Sequence, residues 1–514
     1  MRREPMVERL RAGEVFDVLV IGGGATGLGA AVEAASRGWR VALVERGDFA
    51  QGTSSRSTKL VHGGVRYLKQ GNVSLVREAL RERGRLLKNA PHLARELAFV
   101  IPSYSQWNRV FYGTGLKAYD WLAGELSLGA SRRVGREEAL RMLPNVEPRG
   151  LVGGVVYHDG QFDDARLAVN LAQTAAEQGA VVVNYCECAG LLKEGGGVAG
   201  ALVRDAEGGA EFVVKAKCVV NATGVFVDAV RRLDEAGARA MVTVSQGIHV
   251  VLPKRFLPGG AALMVPKTAD GRVLFAVPWH DRVIVGTTDT PVAGIASEPR
   301  ALAEERDFVM EHACKYLAED PTAADVLSVY AGLRPLVSAA GAGGRTASLS
   351  RDHTIVVSDA GLVTVTGGKW TTYRKMGEDV VDRAEGIAGM EKRASVTAEL
   401  RICGGAEREE TAVLVRERAE LGERVGSAWE YTRADVVRSV RREMARTVED
   451  VLARRTRALV MDARASIEAA PVVAGWIARE LGRDPDWVKQ QVAAYTALAR
   501  GYVFSDPASC GSDR

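Results

Sequence analysis

The sequence predicts an α/β protein in which a parallel-sheet domain is assembled from separated parts of the chain. A second domain on an antiparallel sheet and an all-helical C-terminal domain complete the prediction. Three observations carry it. A glycine-rich turn follows a buried strand near the N-terminus, residues 217–224 repeat the pattern of a buried strand ending in small residues, and helical periodicity dominates after residue 400. The 514 residues are too many for one hydrophobic core, which also favours several domains.

The N-terminal strand and turn indicate a dinucleotide site. Residues 15–21 form the near-continuous apolar run of a central strand, and the glycines after it have the spacing GxGxxG. In this motif the glycines permit a tight turn, close approach of backbone to a pyrophosphate, and tight packing of helix on strand. A second strand over 39–44 ends at Glu45, where a carboxylate can bind both hydroxyls of a ribose. The glycines of the motif are Gly22, Gly24 and Gly27.

The next segments alternate between polar loops and regular elements. The hydroxyl-rich loop 52–59 follows the second strand directly, at the sheet edge where ligands bind, so we expect it to lie along the dinucleotide. Residues 72–98 have the apolar spacing of a helix, and 155–162 have the pattern of a strand. Asp164 is expected to cap a helix that runs to Gln178.

The chain then returns to the first sheet. Residues 180–183 and 217–224 are strand candidates, whereas 240–300 alternate as antiparallel strands do. A nucleotide domain interrupted by a second domain explains this order better than a tandem array. We expect a nucleotide domain from residues 15–90, 150–240 and 350–395, a substrate domain from 91–149 and 241–349, and a helical domain from 400–514.

Composition and charge argue against several classes of function. With 68 basic and 64 acidic residues the formal net charge is +4, which gives no argument for a nucleic-acid partner. The six cysteines lack the spacing of a metal site, so no metal is expected. We find no secretory signal and no run of about 18 apolar residues, and therefore expect a cytoplasmic protein that meets a membrane only at its surface. Arg2, Arg3, Arg9 and Arg11 favour such contact, although interspersed glutamates weaken the argument.

The motifs taken together resemble those of known flavoproteins. The glycine motif, Glu45-Arg46 and the distant strand ending at 221–224 resemble the FAD-binding Rossmann-like domain of the glutathione-reductase and amine-oxidase type, which favours FAD over NAD. Longer motifs resemble the FAD-dependent glycerol-3-phosphate dehydrogenases of the aerobic, respiratory, quinone-linked type over nearly the whole chain. These motifs are IGGGATGLGAA (21–31), SSRSTKLVHGGVRYL (54–68), DGQFDDARL (159–167), NATGVFVD (221–228), AGLRPL (331–336), SRDHTI (350–355), TGGKWTTYRKM (366–376) and EMARTVEDVLARRTRAL (443–459).

The resemblance implies oxidation of the C2 hydroxyl of sn-glycerol 3-phosphate to dihydroxyacetone phosphate, with hydride passed to FAD and electrons then to a membrane quinone. It also implies peripheral association with the inner face of the cell membrane, and it leaves a homodimer open. The residues expected to bind FAD are Gly22, Gly24, Ala25, Thr26, Gly27, Glu45, Arg46, Thr53, Ser54, Ser57, Lys59, His62, Gly63, Ala222, Thr223, Gly224, Gly367, Gly368 and Lys369.

That reaction needs a cationic cradle for the phosphate, a base for the alcohol proton and groups that poise the flavin. The resemblance makes Arg334 and Arg351 the phosphate ligands, because a guanidinium meets phosphate oxygens in pairs and stays charged. Arg56 is a weaker candidate near the flavin. Lys369 is expected to act electrostatically on the flavin or on the phosphate.

The base is left open among three histidines. His249 is favoured because it lies on a predicted strand of the substrate domain and imidazole titrates in the useful range. His62, in the HGG turn, and His353, in the SRDHTI motif, compete with it.

Other functions also stay open. A glycerol-3-phosphate oxidase would pass its electrons to oxygen. An amine or amino-acid oxidase on the same fold would use an arginine to hold a carboxylate. A flavin-binding scaffold would have no activity. In the helical domain, the arginines of RRTR are expected to form a salt-bridged or solvated helix face.

Overall fold

The computed structural model describes residues 1–64, 73–107, 110, 112–114, 116–117, 128–268, 271–337 and 353–504. These residues form two β-sheets with helices packed on them and a helical C-terminal part. The strands are β1 (Val15–Ile21), β2 (Val41–Val44), β3 (Leu60–Val61), β4 (Ala94–Ser103), β5 (Arg132–Gly135), β6 (Gly153–Phe162), β7 (Val181–Val183), β8 (Cys186–Glu194), β9 (Gly197–Asp205), β10 (Glu211–Asn221), β11 (Val242–Pro253), β12 (Ala262–Val265), β13 (Leu274–Trp279), β14 (Arg282–Gly286), β15 (Thr290–Pro291), β16 (Ser328–Val337), β17 (Thr354–Val357) and β18 (Val363–Thr366). The helices are α1 (Arg3–Arg11), α2 (Ala25–Ser36), α3 (Val73–Asn89), α4 (Arg136–Met142), α5 (Asp164–Glu177), α6 (Val227–Asp234), α7 (Ala303–Tyr316), α8 (Tyr373–Ile387), α9 (Glu407–Glu417), α10 (Arg433–Glu443), α11 (Ala458–Met461), α12 (Ala463–Leu481) and α13 (Pro485–Arg500).

The first sheet has a parallel centre. Its strands are ordered β17-β18-β10-β1-β2-β7, and every neighbouring pair is parallel except the edge pair β17 and β18. Strands β8 and β9 extend β10 as antiparallel neighbours. β1 is buried from Phe16 to Ile21 because both faces of the sheet are covered, and this explains its continuous apolar run. The carboxyl ends of β1, β2, β10 and β18 therefore meet at one edge.

Helices α2, α5 and α8 cover one face of this sheet. α2 contacts both of the others, and glycines at the contact with α8 let the two backbones approach closely. A Cβ added to Gly377 would lie 2.6 Å from the carbonyl oxygen of Gly29. This packing fixes α2, whose N-terminus begins directly after the glycine turn.

The second sheet is antiparallel except where β12 runs parallel to β4. Its strands are ordered β15-β11-β14-β13-β12-β4-β6-β3, with β16 paired to β11 and β5 paired to β6. In the β11–β16 ladder, His249 lies opposite Tyr330 and Ser245 lies opposite Arg334. The pairing thus brings a predicted base and a predicted phosphate ligand onto adjacent strands.

The C-terminal part contains α9 to α13 and a π-helical turn at Asp450–Arg455. Its helices pack around an apolar cluster that includes Val437, Leu452 and Trp476. The long helices have clear start signals, because Asp462 and Asp484 accept hydrogen bonds from the backbone at the starts of α12 and α13. The predicted fold class, an α/β domain with an antiparallel second sheet and a helical C-terminal domain, is confirmed.

The helix predicted at 72–98 is correct only in its first part. α3 ends at Asn89, two residues before Pro91, and the chain then turns into β4, which pairs with β6 over its whole length. Proline lacks a backbone N–H and disfavours helical geometry in the residue before it, so a helix stops here.

The cap of α5 is Asp163, which accepts from the N–H of Arg166, and not Asp164 as predicted.

Sheet membership does not follow the domain boundaries predicted at residues 90 and 150. β3 and β6 lie inside the expected nucleotide ranges, yet they belong to the second sheet. The local pattern of β6 predicts a strand but carries no information about its partner. β6 pairs with β3, β4 and β5, and its longest partner, β4, begins in the region predicted as helix.

Candidate active site

A cavity of about 510 Å³ opens at the carboxyl ends of the parallel strands. Its wall includes the glycine turn, the loop after β2, the segment after β10 and the segment after β18, together with residues of β8, β9 and α6, Ser297 and Pro335. Of the residues predicted to bind FAD, those lining it are Gly22, Gly24, Ala25, Thr26, Glu45, Arg46, Thr53, Ser54, Ala222, Thr223, Gly224, Gly367, Gly368 and Lys369.

The glycine turn has no room for side chains. A Cβ on Gly22 would lie 2.6 Å from the carbonyl oxygen of Ala222, and one on Gly27 would lie 1.9 Å from that of Gly22. Gly22 also has a φ of +114°, which side chains disfavour. Gly27 does not line the cavity. It serves the helix-on-strand packing that the motif predicts, while Gly22 and Gly24 present backbone to the cavity.

Glu45 directly follows β2, where the glycine motif predicts a ribose ligand. Its two carboxylate oxygens accept hydrogen bonds from the N–H of Gly23 (2.7 Å) and the N–H of Gly47 (2.8 Å). Burial raises the pKa of this carboxyl, although these N–H groups favour its charged form. The side chain is thus held in place at the cavity wall.

In the loop after β2, some residues form the cavity wall and others are buried away from it. Ser54 accepts from the N–H of Ala25 through its Oγ (2.9 Å), and Thr53 donates to the carbonyl of Leu333 (2.6 Å), so both hold the wall together. Lys59 does not reach the cavity. Its Nζ is buried and donates to Asp164 Oδ1 (2.7 Å), which corrects the prediction that Lys59 contacts FAD. Asp164 also accepts from the hydroxyl of Ser57 (2.7 Å).

A second cavity of about 310 Å³ adjoins the first, between the loop after β2 and the second sheet. The two cavities share the wall residues Thr53, Pro335, Gly368, Lys369 and Trp370. The indole Nε1 of Trp370 donates to the carbonyl of Ser54 (2.9 Å), which links the two loops at this junction. A group that reacts with the cofactor would therefore sit in the second cavity, at this shared wall.

His249 faces the second cavity from β11 and is only 2% exposed. Its Nε2 lies 2.9 Å from the hydroxyl of Thr58, and among the described residues its Nδ1 has no hydrogen-bond partner. Burial, together with the positive charges of Arg334 and Lys59, holds the pKa of His249 well below its ordinary value. The imidazole is therefore neutral and able to accept a proton.

Arg334 faces the same cavity from β16. Its guanidinium donates to the hydroxyl of Thr287 (2.9 Å) and to the carboxylate of Asp289 (3.4 Å). Neither Thr287 nor Asp289 is among the site residues predicted from the sequence. The polar triplet that follows β14, Thr287-Thr288-Asp289, is the signal that could have identified them.

The remaining candidates are distributed as follows. Ser57, His62 and Arg56 line the second cavity, whereas Gly63 donates its N–H to Asp159 (3.3 Å). His353 lines neither cavity, because its Nε2 is 2.9 Å from Asp379 in a separate cleft. Arg351 lies outside the described residues.

Tyr330 is a further site residue that is absent from those predicted. Its ring stacks on His249, and it comes immediately before the AGLRPL motif in a buried strand, where an aromatic residue has an ordinary packing role. Phe226 was noted only as part of a motif, and the structure places it in the wall of the first cavity with the guanidinium of Arg46 4.3 Å from its ring centre.

Comparison with known proteins agrees with this geometry. The family model described as FAD dependent oxidoreductase matches residues 17–374, and that described as the C-terminal domain of alpha-glycerophosphate oxidase matches residues 382–488. The mitochondrial glycerol-3-phosphate dehydrogenase of Homo sapiens is 38% identical over 538 aligned residues, which cover 95% of this chain and 74% of that protein.

Solved structures give the same result. Glycerol-3-phosphate dehydrogenase from Bacillus halodurans, complexed with FAD, has a TM-score of 0.77 and 28% identity, with 97% of each chain covered. L-alpha-glycerophosphate oxidase from Mycoplasma pneumoniae, with FAD bound, has a TM-score of 0.58 and 20% identity, over 74% of this chain and 96% of the other, and shows the fold alone.

FAD is the cofactor, and the residues present fit it. The side-chain-free glycine turn leaves room for a pyrophosphate, α2 offers its N-terminus, and the carboxylate of Glu45 lies in the wall where the motif predicts a ribose. The motifs, the two adjoining cavities and the matched relatives lead to one assignment. The chain belongs to the FAD-dependent glycerol-3-phosphate dehydrogenase family.

Proposed function

We propose that this protein oxidises sn-glycerol 3-phosphate to dihydroxyacetone phosphate and passes the electrons to a membrane quinone. The observation that carries the proposal is the second cavity, which holds the guanidinium of Arg334 and the neutral imidazole of His249 beside the wall shared with the cofactor cavity. A phosphate ligand and a base are the two groups that this substrate requires from the protein.

Arg334 binds the phosphate in this proposal. Its side chain is one quarter exposed and faces the cavity, and Thr287 and Asp289 fix its plane. A guanidinium held in this way can meet two phosphate oxygens at once. Arg351 is proposed as the second phosphate ligand on its motif alone.

His249 accepts the proton of the C2 hydroxyl. Its pKa is lowered by burial and by Arg334 and Lys59, so the ring is unprotonated when substrate binds. FAD, when bound, supplies the acceptor for the hydride of C2. Lys369 lies in the wall of both cavities, where a cation stabilises negative charge that develops on either side.

The proposed acceptor is a membrane quinone, with the protein bound peripherally at the inner face of the cell membrane. Of the helices that the structure describes, none is both long and apolar enough to cross a bilayer. The N-terminal arginines support membrane contact less than their sequence suggests, because Arg3 and Arg11 both pair with Asp205 (2.6 and 3.2 Å). A homodimer is proposed only by resemblance.

The test is anaerobic mixing of the holoenzyme with sn-glycerol 3-phosphate, followed by the visible absorbance of the flavin. Bleaching by the phosphate ester, with none by unphosphorylated glycerol or by a D-amino acid, is the expected result. Bleaching by the amino acid instead would indicate an amine or amino-acid oxidase and would contradict this proposal.

Reoxidation of the bleached enzyme identifies the acceptor. We expect a soluble quinone to restore the absorbance much faster than air does. The match of residues 382–488 to the C-terminal domain of alpha-glycerophosphate oxidase makes an oxidase the second candidate. Rapid reoxidation by air, with stoichiometric peroxide, would establish the oxidase and reject the quinone-linked reaction.

A further inference from the structure

The motif at 443–459 has contacts that the proposed reaction does not use. Within it, the π-helical turn Asp450–Arg455 is largely buried, and two of its arginines reach from the helical domain into the first domain. Arg454 and Arg455 both donate to Asp48, a fully buried residue of the loop after β2. The arginine run expected on a helix face is therefore part of a buried contact between domains.

The carboxylate of Asp48 accepts hydrogen bonds from three side chains. Arg454 Nε donates to Asp48 Oδ2 (2.5 Å), and the fork of Arg455 donates to both oxygens, with Nη2 2.9 Å from Oδ1. Asn184 Nδ2 also donates to Oδ1 (3.1 Å). A carboxylate without access to water needs such partners, and it loses much of its stabilisation when one is removed.

Asp48 lies in the middle of the loop that forms one wall of the cofactor cavity. Glu45 and Arg46 line the cavity on one side of it, and residues 50–54 line it on the other. The same loop is tied to the glycine turn, since the N–H of Ala50 donates to the carbonyl of Gly23 (2.9 Å). The position of Asp48 therefore affects the shape of this wall.

A second contact from the same turn supports the loop. Glu449 Oε1 accepts from Arg454 Nη1 (2.6 Å) and from the side-chain amide of Gln51 (3.5 Å), and Gln51 lines the cavity. Arg454 thus reaches the loop directly through Asp48 and indirectly through Glu449.

We propose that the helical domain sets the affinity for FAD through Arg454 and Arg455, which bind Asp48 and so hold the cofactor loop, residues 45–59 after β2, in the shape that binds FAD. They are positioning residues, because neither is among the described residues that line the cavity. The proposal depends on FAD as the cofactor and is independent of the substrate and of the electron acceptor.

The test measures release of FAD from diluted holoenzyme by the rise in free-flavin fluorescence. Arg455→Lys keeps the charge and removes the fork. The matched control is Arg446→Lys, because Arg446 also makes a forked contact between these domains, to Glu207 (2.6 Å to each oxygen), away from the cofactor loop. We expect FAD release about tenfold faster in Arg455→Lys and within about twofold of the unaltered protein in Arg446→Lys.

A milder pair of variants keeps the test decisive if Arg455→Lys does not fold. Glu449→Gln alters a partly exposed carboxylate that supports Arg454 and Gln51, and Glu480→Gln is its control, since Glu480 pairs with Arg441 at the surface. We expect release about threefold faster in Glu449→Gln only. Unchanged release in both test variants would overturn the proposal. Equal acceleration in the controls would also overturn it, because the effect would then be a general loosening of the domains.

Discussion

The imidazole of His249 stacks on the ring of Tyr330, with ring centres 4.9 Å apart and planes inclined by 16°. The two residues face each other across the β11–β16 ladder, and the hydroxyl of Tyr330 donates to the carbonyl of Ser57 (2.9 Å). On its edge the imidazole meets the hydroxyl of Thr58. The ring plane is therefore fixed by an aromatic face and by a hydrogen-bonding group.

We expect Tyr330→Leu to slow flavin reduction by substrate about tenfold, because the imidazole loses the face that orients it. Tyr330→Phe keeps the stack and loses one hydrogen bond, and should stay within about threefold of the unaltered enzyme. Anaerobic stopped-flow absorbance measures both rates. Equal losses in the two variants would show that the hydroxyl, and not the stack, is what matters.

The pH dependence of flavin reduction reports the state of His249. Since the pKa of His249 is lowered, the rate should stay constant as pH falls through about 6.5, where a free imidazole titrates, and decrease only in more acidic solution as the base becomes protonated. His249→Gln should reduce the rate about 10²- to 10⁴-fold and remove this dependence, with bound flavin unchanged. A midpoint close to 6.5 in the unaltered enzyme would contradict the burial argument.

Arg334→Gln should raise the KM for glycerol 3-phosphate about 10- to 100-fold, because it removes a charged hydrogen-bonding fork. Arg255→Gln is the matched control, since Arg255 lies just after β11 but is half exposed and pairs with Asp325 at the surface. Steady-state kinetics measure both variants. If the two KM values agree, the phosphate binds elsewhere.

The segment 287–289, which contacts Arg334, is itself held in place by the buried carboxylate of Glu305. Glu305, in the first turn of α7, accepts from the hydroxyl of Thr288 (2.9 Å) and from the side-chain amide of Gln246 (2.7 Å). Thr288 stands between Thr287 and Asp289, both of which hold the guanidinium.

We expect Glu305→Gln to raise KM about three- to tenfold with kcat nearly unchanged, because one of its donors loses its acceptor and the loop shifts. Glu304→Gln changes the exposed neighbour in the same helical turn and should leave KM as it is. An equal loss of kcat and kcat/KM in Glu305→Gln would instead place Glu305 in the chemical step.

Gly22→Ala should yield protein with little bound FAD. The added methyl would meet the carbonyl of Ala222 at 2.6 Å, and the φ of +114° disfavours any side chain. Gly260→Ala is the control, because a Cβ there meets no atom within 4 Å. The ratio of visible to ultraviolet absorbance gives flavin per chain. Full flavin content in Gly22→Ala would show that the turn has room to adapt.

Local patterns predicted the parts of the molecule that depend on near neighbours in sequence. The run before Gly22 and the glycine spacing predicted β1 and its turn, and Glu45 fell at the cavity wall as expected. The predicted helix runs past the end of α3 because the apolar spacing of α3 merges with the pattern of β4, although Pro91 marks the boundary.

Local patterns cannot predict contacts between residues that are far apart in the sequence. Asp48 and Arg455 are 407 positions apart, and nothing near Asp48 in the sequence indicates which residue it pairs with. The polar loop around Lys59 predicts contact with the cofactor, yet the ammonium group of Lys59 pairs with Asp164 inside the protein. A sequence shows that a charge is present, but only the folded chain shows which other charge it meets.

The wall of the cofactor cavity contains residues from Ile21 to Met376. A chain still being synthesised therefore has no complete FAD site until residue 376 has left the ribosome and the distant segments have come together. FAD binds a folded form of this chain, so that its insertion is a late event that draws the folding equilibrium toward the native state. When flavin is scarce, a larger fraction of the full-length chain should therefore be unfolded.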